Sequence, residues 1–296
     1  MKKTILLLGA TGFLGSKIKN KLQNNFKILS PNSSKLNLLN FDKIDSFFKR
    51  NNFDIIINCA WLVNSTTDDH KIRLKNYRKN LNIGNNLFFF AQKYKIKYFL
   101  NISSINTYKK TKFILSEKNL LDKKYQTNSL EGMAKLNLIK LFSKISDKKF
   151  QYINLIFSNI YGFKTRRNLL FLDKVFHNIY LGKKFKIFLH KNLDIKIDYI
   201  YLDDAVDAVN FFLKQIIKKK INHTNINIGS GKLYSLIRLV KLIKKDKNLK
   251  IIFMKNKNHK KLSLRPSIAI AKKYNWKTKT SINSGINKTI ALYKNL

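Results

Sequence analysis

Gly9-Ala10-Thr11-Gly12-Phe13-Leu14-Gly15 follows an apolar run ending at Leu8 and opens directly into an amphipathic stretch, Phe13–Asn24. Three glycines at this spacing, between a strand pattern and a helix pattern, have one joint physical reading. Gly9 permits the sharp turn. Gly12 lets the backbone approach a pyrophosphate. Gly15 lets the helix sit close against the strand. The helix N-terminus then offers N–H groups and a positive dipole end to phosphates. Glycine occurs at only ten of 296 positions, so three within seven residues carry weight.

The pattern around this loop repeats outward. Lys3–Leu8, Phe26–Leu29, Phe53–Asn58, Lys97–Ile102 and Tyr152–Phe157 are short and apolar on consecutive positions, which marks strands covered on both faces. Between them lie the helical stretches Phe13–Asn24, Phe41–Arg50, Arg73–Tyr94 and Ser129–Ser146. Such alternation predicts an α/β protein with a doubly wound parallel sheet. Further on, helices are expected at Leu169–Leu181, Asp203–Lys219, Leu233–Lys244, Ile268–Tyr274 and Ile282–Tyr293. Strands are expected at Asp198–Leu202, Thr224–Ile228 and Leu249–Met254. No Pro/Gly-rich linker divides the chain, so a second unit has to be stitched into the first.

Composition excludes several classes. Hydrophobic residues at 44% and aromatics at 12% support a packed core. A single cysteine, Cys59, rules out internal disulfides and cysteine-based zinc. The five histidines show no metal spacing with acidic partners, and no metal is expected. No apolar run approaches the ~18 residues of a membrane helix, so a cytoplasmic protein is expected. The net charge of +44 comes from 60 basic against 16 acidic residues, yet only seven of the basic residues are Arg. Asn stands at 36 positions and Pro at two. This joint drift is what an AT-rich coding sequence produces, whereas selection for phosphate contacts favours the bidentate Arg.

Seven segments in order resemble the extended short-chain dehydrogenases/reductases, the sugar-nucleotide epimerases, dehydratases and reductases. The loop has that family's GxxGxxG spacing. Asn58-Cys59-Ala60-Trp61 sits where the family lines its cofactor, and Asn80–Leu87 resembles its NVxGTxNLL helix. Asn101–Tyr108 resembles SSxxVYG, and Asp198–Asp204 resembles DFIYVDD. Asn227–Gly231 resembles NIGSG, and Arg265-Pro266 with Tyr274-Asn275-Trp276 resembles RP…LGW. The resemblance implies a Rossmann domain over 1–163, to which 195–230 returns, with 164–194 and 231–296 forming a substrate lobe. It implies a nucleotide-sugar substrate, hydride transfer at a sugar carbon, a context of deoxysugar or surface-polysaccharide synthesis, and a homodimer.

For the cofactor, the resemblance implies contacts from Gly9, Thr11, Gly12, Phe13, Leu14, Gly15, Ser30, Asn37, Leu38, Cys59, Ala60, Trp61, Asn80 and Lys135. The segment after the second strand, Leu29–Lys35, carries no acid to accept from a ribose 2′-hydroxyl. Its Ser and Lys suit a 2′-phosphate, which favours NADP over NAD.

In the family a Ser or Thr holds the sugar oxygen, a Tyr passes the proton, and a Lys one turn later binds the nicotinamide ribose. Ser104, with Ser103 beside it, matches the first, and Lys135 matches the last. The residue four before Lys135 is Glu131 instead of Tyr. Three readings follow. Glu131 is itself the acid or base; Tyr125 enters the site from the preceding loop; or redox chemistry is crippled while dinucleotide binding remains. For the substrate, the resemblance implies Ser103, Asn159, Arg166 and Arg265, with Arg265 facing a diphosphate. Two rivals to the enzyme reading are a dinucleotide-binding protein without turnover and an RNA-binding member using the basic surface.

Overall fold

The computed structural model describes residues 2–62, 69–111, 113–145, 150–163, 172, 175–176, 185–190, 196–243, 249–254 and 263–295. Its centre is a parallel sheet built from β1 (Thr4–Leu8), β2 (Lys27–Leu29), β3 (Ile55–Asn58), β4 (Tyr98–Ser104), β6 (Gln151–Phe157) and β10 (Asn225–Ile228). The spatial order is β2-β1-β3-β4-β6-β10. The chain leaves β1 toward β2 and returns on the other side at β3. That reversal opens a crevice beyond the strand ends, where ligands of open α/β sheets bind.

Strand parity divides the core in two. Ile5, Leu7, Ile55, Ile57, Leu100 and Ile102 belong to the layer with α1 (Phe13–Leu22) and α5 (Leu202–Ile217). Leu6, Leu8, Ile56 and Phe99 belong to the layer with α2 (Phe41–Arg50), α3 (His70–Lys93) and α4 (Leu130–Phe142). The strands are apolar at successive positions because both faces are covered.

One polar line crosses this core. Asn58, Asn101, Asn154 and Asn225 are partners in register on β3, β4, β6 and β10, and all are buried. Their amides bond in sequence: Asn58 to Asn101 at 2.9 Å, Asn101 to Asn154 at 2.7 Å, and Asn154 to Asn225 at 3.3 Å. The Asn58 carbonyl end accepts the Ala60 N–H at 3.1 Å. Each buried amide thus meets a partner, as burial requires.

The remaining strands are small additions. β7 (Asn159–Tyr161), β9 (Lys196–Tyr201) and β11 (Leu233–Ser235) form one sheet. β8 (Phe185–His190) pairs with β12 (Leu249–Met254), and β5 (Ile114–Leu115) with β13 (Arg265–Pro266). Helices α6 (Leu236–Ile243), α7 (Ala269–Lys273) and α8 (Ile282–Lys294) complete the described elements. A third apolar cluster joins Tyr161, Phe176, Tyr199, Tyr201, Tyr234 and Ile286, away from the main sheet.

Five strands correct the sequence reading. The helix expected from Leu233 begins at Leu236, because Leu233–Ser235 pairs antiparallel with β9. Strands β5, β7, β8 and β13 stand where no strand was expected, with β5 paired to β13, β7 to β9 and β8 to β12, all in parallel. All depend on partners distant in sequence. Most of Leu169–Leu181 lies outside the described residues; Leu172, Val175 and Phe176 in it are helical and buried.

Candidate active site

The glycine loop has the geometry its sequence requires. Gly9 has φ +75°, and a Cβ there would stand 2.7 Å from the carbonyl carbon of Cys59. A Cβ on Gly15 would strike the Gly9 carbonyl oxygen. Gly12 begins α1 without a side-chain cap, and the first turn carries no acid. Backbone N–H groups at this helix end are therefore left for an external acceptor. These features fit a dinucleotide pyrophosphate. After β2, Asn32 folds the chain by accepting from Ser34 Oγ at 2.7 Å and from Lys35 N–H at 3.1 Å. Ser34 and Lys35 are exposed there, and Ser30 is half-buried. Asn37 accepts from Leu39 N–H at 3.0 Å, and the Leu38 carbonyl accepts from Asn86 at 2.9 Å. Thr11 is exposed, while Phe13 and Leu14 are half-buried.

On the other side of the reversal, the segment after β3 is pinned at three points. Ala60 bonds Asn58. Trp61 Nε1–H donates to the Ile102 carbonyl at 3.1 Å. Asn80 on α3 accepts from Leu62 N–H at 2.9 Å and donates to its carbonyl at 2.8 Å.

The end of β4 and the start of α4 are clamped together. A 3₁₀ turn, Ile105–Thr107, follows Ser104. Thr127 Oγ1 donates to the Asn106 carbonyl at 2.9 Å, with the Tyr108 carbonyl 3.2 Å away. Ser129 caps α4 by accepting from Gly132 N–H at 3.2 Å. Gly132 must lack a side chain, because a Cβ would collide with the Asn106 carbonyl oxygen. This close approach brings the strand end bearing Ser104 against the helix bearing Glu131 and Lys135. Ser104 Oγ accepts from Asn106 N–H at 3.3 Å, so its own hydrogen remains available for a donor role. Ser103 is buried, and its hydroxyl has no partner among the described residues.

Lys135 Nζ stands 4.8 Å from the centre of the Trp61 ring. Burial pushes the ammonium down to about 8, with the charge of Glu131 acting the other way. The Cys59 thiol is pushed up to about 12 by burial, with Lys135 acting the other way. Cys59 is therefore a protonated packing neighbour at neutral pH. Tyr125 lies with Leu136 and Ile139 on another flank of α4. Its hydroxyl accepts from Lys109 N–H at 2.9 Å, and its carbonyl accepts from Lys140 Nζ at 2.9 Å.

Of the expected substrate residues, Asn159 and Arg265 stand on separate strands. Asn159 begins β7 and is half-buried. Arg265 is exposed on β13, in register with Ile114 on the segment that continues from the β4 end. Arg166 lies outside the described residues. The sequence reading did not assign the residues that hold this end of the fold. Asp198 is buried and accepts from Ser230 N–H at 3.1 Å and Gly231 N–H at 2.9 Å. Glu117 is buried and accepts from Asn227 N–H at 2.9 Å. An acid inside an apolar pattern was the available signal. No group of metal-binding side chains occurs among the described residues, and no described helix is long and apolar enough to cross a membrane.

A model of the NAD dependent epimerase/dehydratase family matches residues 5–229, from β1 through β10. The chain belongs to that family. Among curated relatives, it is similar to GDP-L-colitose synthase of Yersinia pseudotuberculosis, 26% identical over 306 residues and covering 98% of each chain. Among solved structures, it resembles the GDP-mannoheptose C4 reductase of Campylobacter jejuni with NADP bound. That match has a TM-score of 0.81 at 20% identity and covers 100% of this chain and 99% of the other. A UDP-glucose 4-epimerase of Thermus thermophilus in complex with NAD also matches, with a TM-score of 0.81 at 14% identity over 98% and 99%. At these identities the structural matches establish the shared fold.

Proposed function

We propose that this member of the epimerase/dehydratase family is an NADP(H)-dependent reductase acting on a GDP-linked keto sugar, in the synthesis of a deoxy or heptose unit of a surface polysaccharide. The observation that supports this reading is the clamp between the β4 end and α4, which packs the strand end bearing Ser104 against the helix bearing Lys135. The GDP sugar is supported by the Yersinia synthase and by the Campylobacter reductase. NADP is supported by that reductase, which holds it, and by the acid-free turn at Ser30–Lys35.

When bound, the cofactor supplies a hydride to the sugar carbonyl carbon. The chain's own residues manage the oxygen. Ser104 donates its hydroxyl hydrogen to the carbonyl oxygen and orients it. Lys135, held near neutrality by burial, gives the proton that the developing alkoxide needs, a task suited to a group whose pKa lies near the working pH. Glu131, one turn earlier on the same helix, supplies the counter-charge. Tyr125 stays with Lys109 and Lys140 and takes no part. Arg265 faces the diphosphate, a role suited to the guanidinium fork.

The test is consumption of NADPH or NADH by the purified chain with a panel of GDP- and UDP-linked keto sugars. NADPH loss with a GDP-linked ketone is expected. Tight cofactor binding without turnover on any panel member would replace the reductase reading with binding alone.

A further inference from the structure

The close approach of Trp61 to Lys135 is unused by the reaction just described. Trp61 is held with little freedom. Its indole N–H bonds the Ile102 carbonyl, and its neighbours Ala60 and Leu62 are tied to Asn58 and to both ends of the Asn80 amide. The ring is thus fixed between β4 and α3, with the Lys135 ammonium 4.8 Å from its centre. A lysine has a long, freely rotating stem. An ammonium on a half-buried helix face leans into solvent unless something inside the protein attracts it. Glu131 attracts it along the helix surface, and the π face of Trp61 attracts it from the sheet side. An indole is the strongest aromatic partner for a cation, and more so where water is excluded.

We propose that Trp61 is a positioning residue that holds the Lys135 ammonium in the cleft by a cation–π contact, at the site where Glu131 has replaced the family's tyrosine. The role in turnover rests on the reductase reading. The contact itself does not, and the two are tested separately. The titratable groups acting on Lys135 are Glu131 from its own helix and Cys59 from the end of β3.

Indole emission responds to a charge placed on its face. The chain has two tryptophans, Trp61 and Trp276, and Trp276 is buried beside Phe212. Tryptophan emission is titrated with pH in the wild type, Lys135→Met, Lys135→Arg and Trp61→Phe. The wild type is expected to give one step, with its midpoint near the Lys135 value of about 8. Both Lys135 variants lose the step, since methionine has no charge and arginine keeps its charge throughout. Trp61→Phe also loses it, while the Trp276 emission that remains reports a folded chain. A step that persists in Trp61→Phe, or no step in a folded wild type, overturns the proposal.

A second readout concerns turnover. Trp61→Leu is expected to lower kcat on the GDP-linked ketone, leave KM within about twofold, and move the alkaline limb of the pH profile down by about half a unit or more. Trp61→Phe, which keeps an aromatic face, recovers part of that loss. A wild-type emission step in a chain that turns over no sugar leaves the contact intact and removes the reductase reading. Turnover without any emission step does the reverse.

Discussion

The two walls of the cleft are built from different materials. The wall at β1 and α1 works through backbone: a left-handed Gly9, an uncapped helix end and a Gly15 that lets strand and helix touch. The wall at β4 and α4 presents side chains: Ser104, Glu131, Lys135 and, close to Lys135, Trp61. A composition that has drifted to Lys and Asn leaves the first wall intact, because what it needs is the absence of a side chain. In the second wall the family resemblance leads one to expect a tyrosine four residues before Lys135, and this chain has Glu131 there. Binding built on backbone tolerates drift; chemistry built on single side chains records it.

The sharpest way to separate the walls is Lys135→Ala. Removal of the proton donor is expected to lower kcat/KM by about 10²- to 10⁴-fold, with a much smaller loss of NADPH affinity in a direct titration, from the ribose contact alone. An equal loss in both quantities would mean that the walls are not separable.

The converse variant is Gly15→Ala. Its methyl meets the Gly9 carbonyl oxygen, a backbone atom that cannot rotate away. Overpacking of this kind costs about 1–3 kcal/mol, so NADPH binding should weaken by roughly ten- to a hundredfold. Turnover at saturating cofactor should change far less.

Glu131→Tyr returns a phenol to the altered wall. Turnover is expected to stay or to rise by up to about tenfold, less than a general acid adds where none exists, because Lys135 already supplies the proton. A fall in kcat with cofactor binding unchanged would make Glu131 itself indispensable.

The smallest effect is on stability. Burial lowers Lys135 from its ordinary 10.5 to about 8, so the folded state disfavours the charged form. That cost is full below about 8 and fades as pH rises toward 10.5. Lys135→Met should therefore melt higher than the wild type near neutrality, and the difference should close as pH rises through this window.

The glycine loop and the strands around it were legible because parallel strands covered on both faces leave a local signature. Helix α2 begins and ends where its pattern does, at Phe41 and Arg50, with Asn40 as its cap. Strand β11 was not legible, since Leu233–Ser235 continues a helical pattern and becomes a strand only through its pairing with β9. The asparagine line across the sheet was hidden for the same reason. Each Asn reads alone as a polar residue in or at the end of an apolar run, and only strand register joins them. At the site, resemblance placed Ser104, Glu131 and Lys135 on one cleft. It did not bring Trp61 to Lys135, because that contact spans β3, β4 and α4 and follows no spacing rule. Tyr125 was a candidate because of its place in the chain; its bonds to Lys109 and Lys140 are visible only in three dimensions.

The central claim, that this cleft moves a hydride to a sugar with Lys135 supplying the proton, is tested most directly by isotope transfer. NADPH deuterated at its nicotinamide C4 is incubated with the chain and a GDP-linked keto sugar, and the nucleotide-sugar product is weighed by mass spectrometry. The account predicts one deuterium on the reduced sugar carbon and almost none formed by Lys135→Ala in the same time. Bound cofactor with no deuterium in any product, or equal labelling by the Lys135 variant, would contradict it.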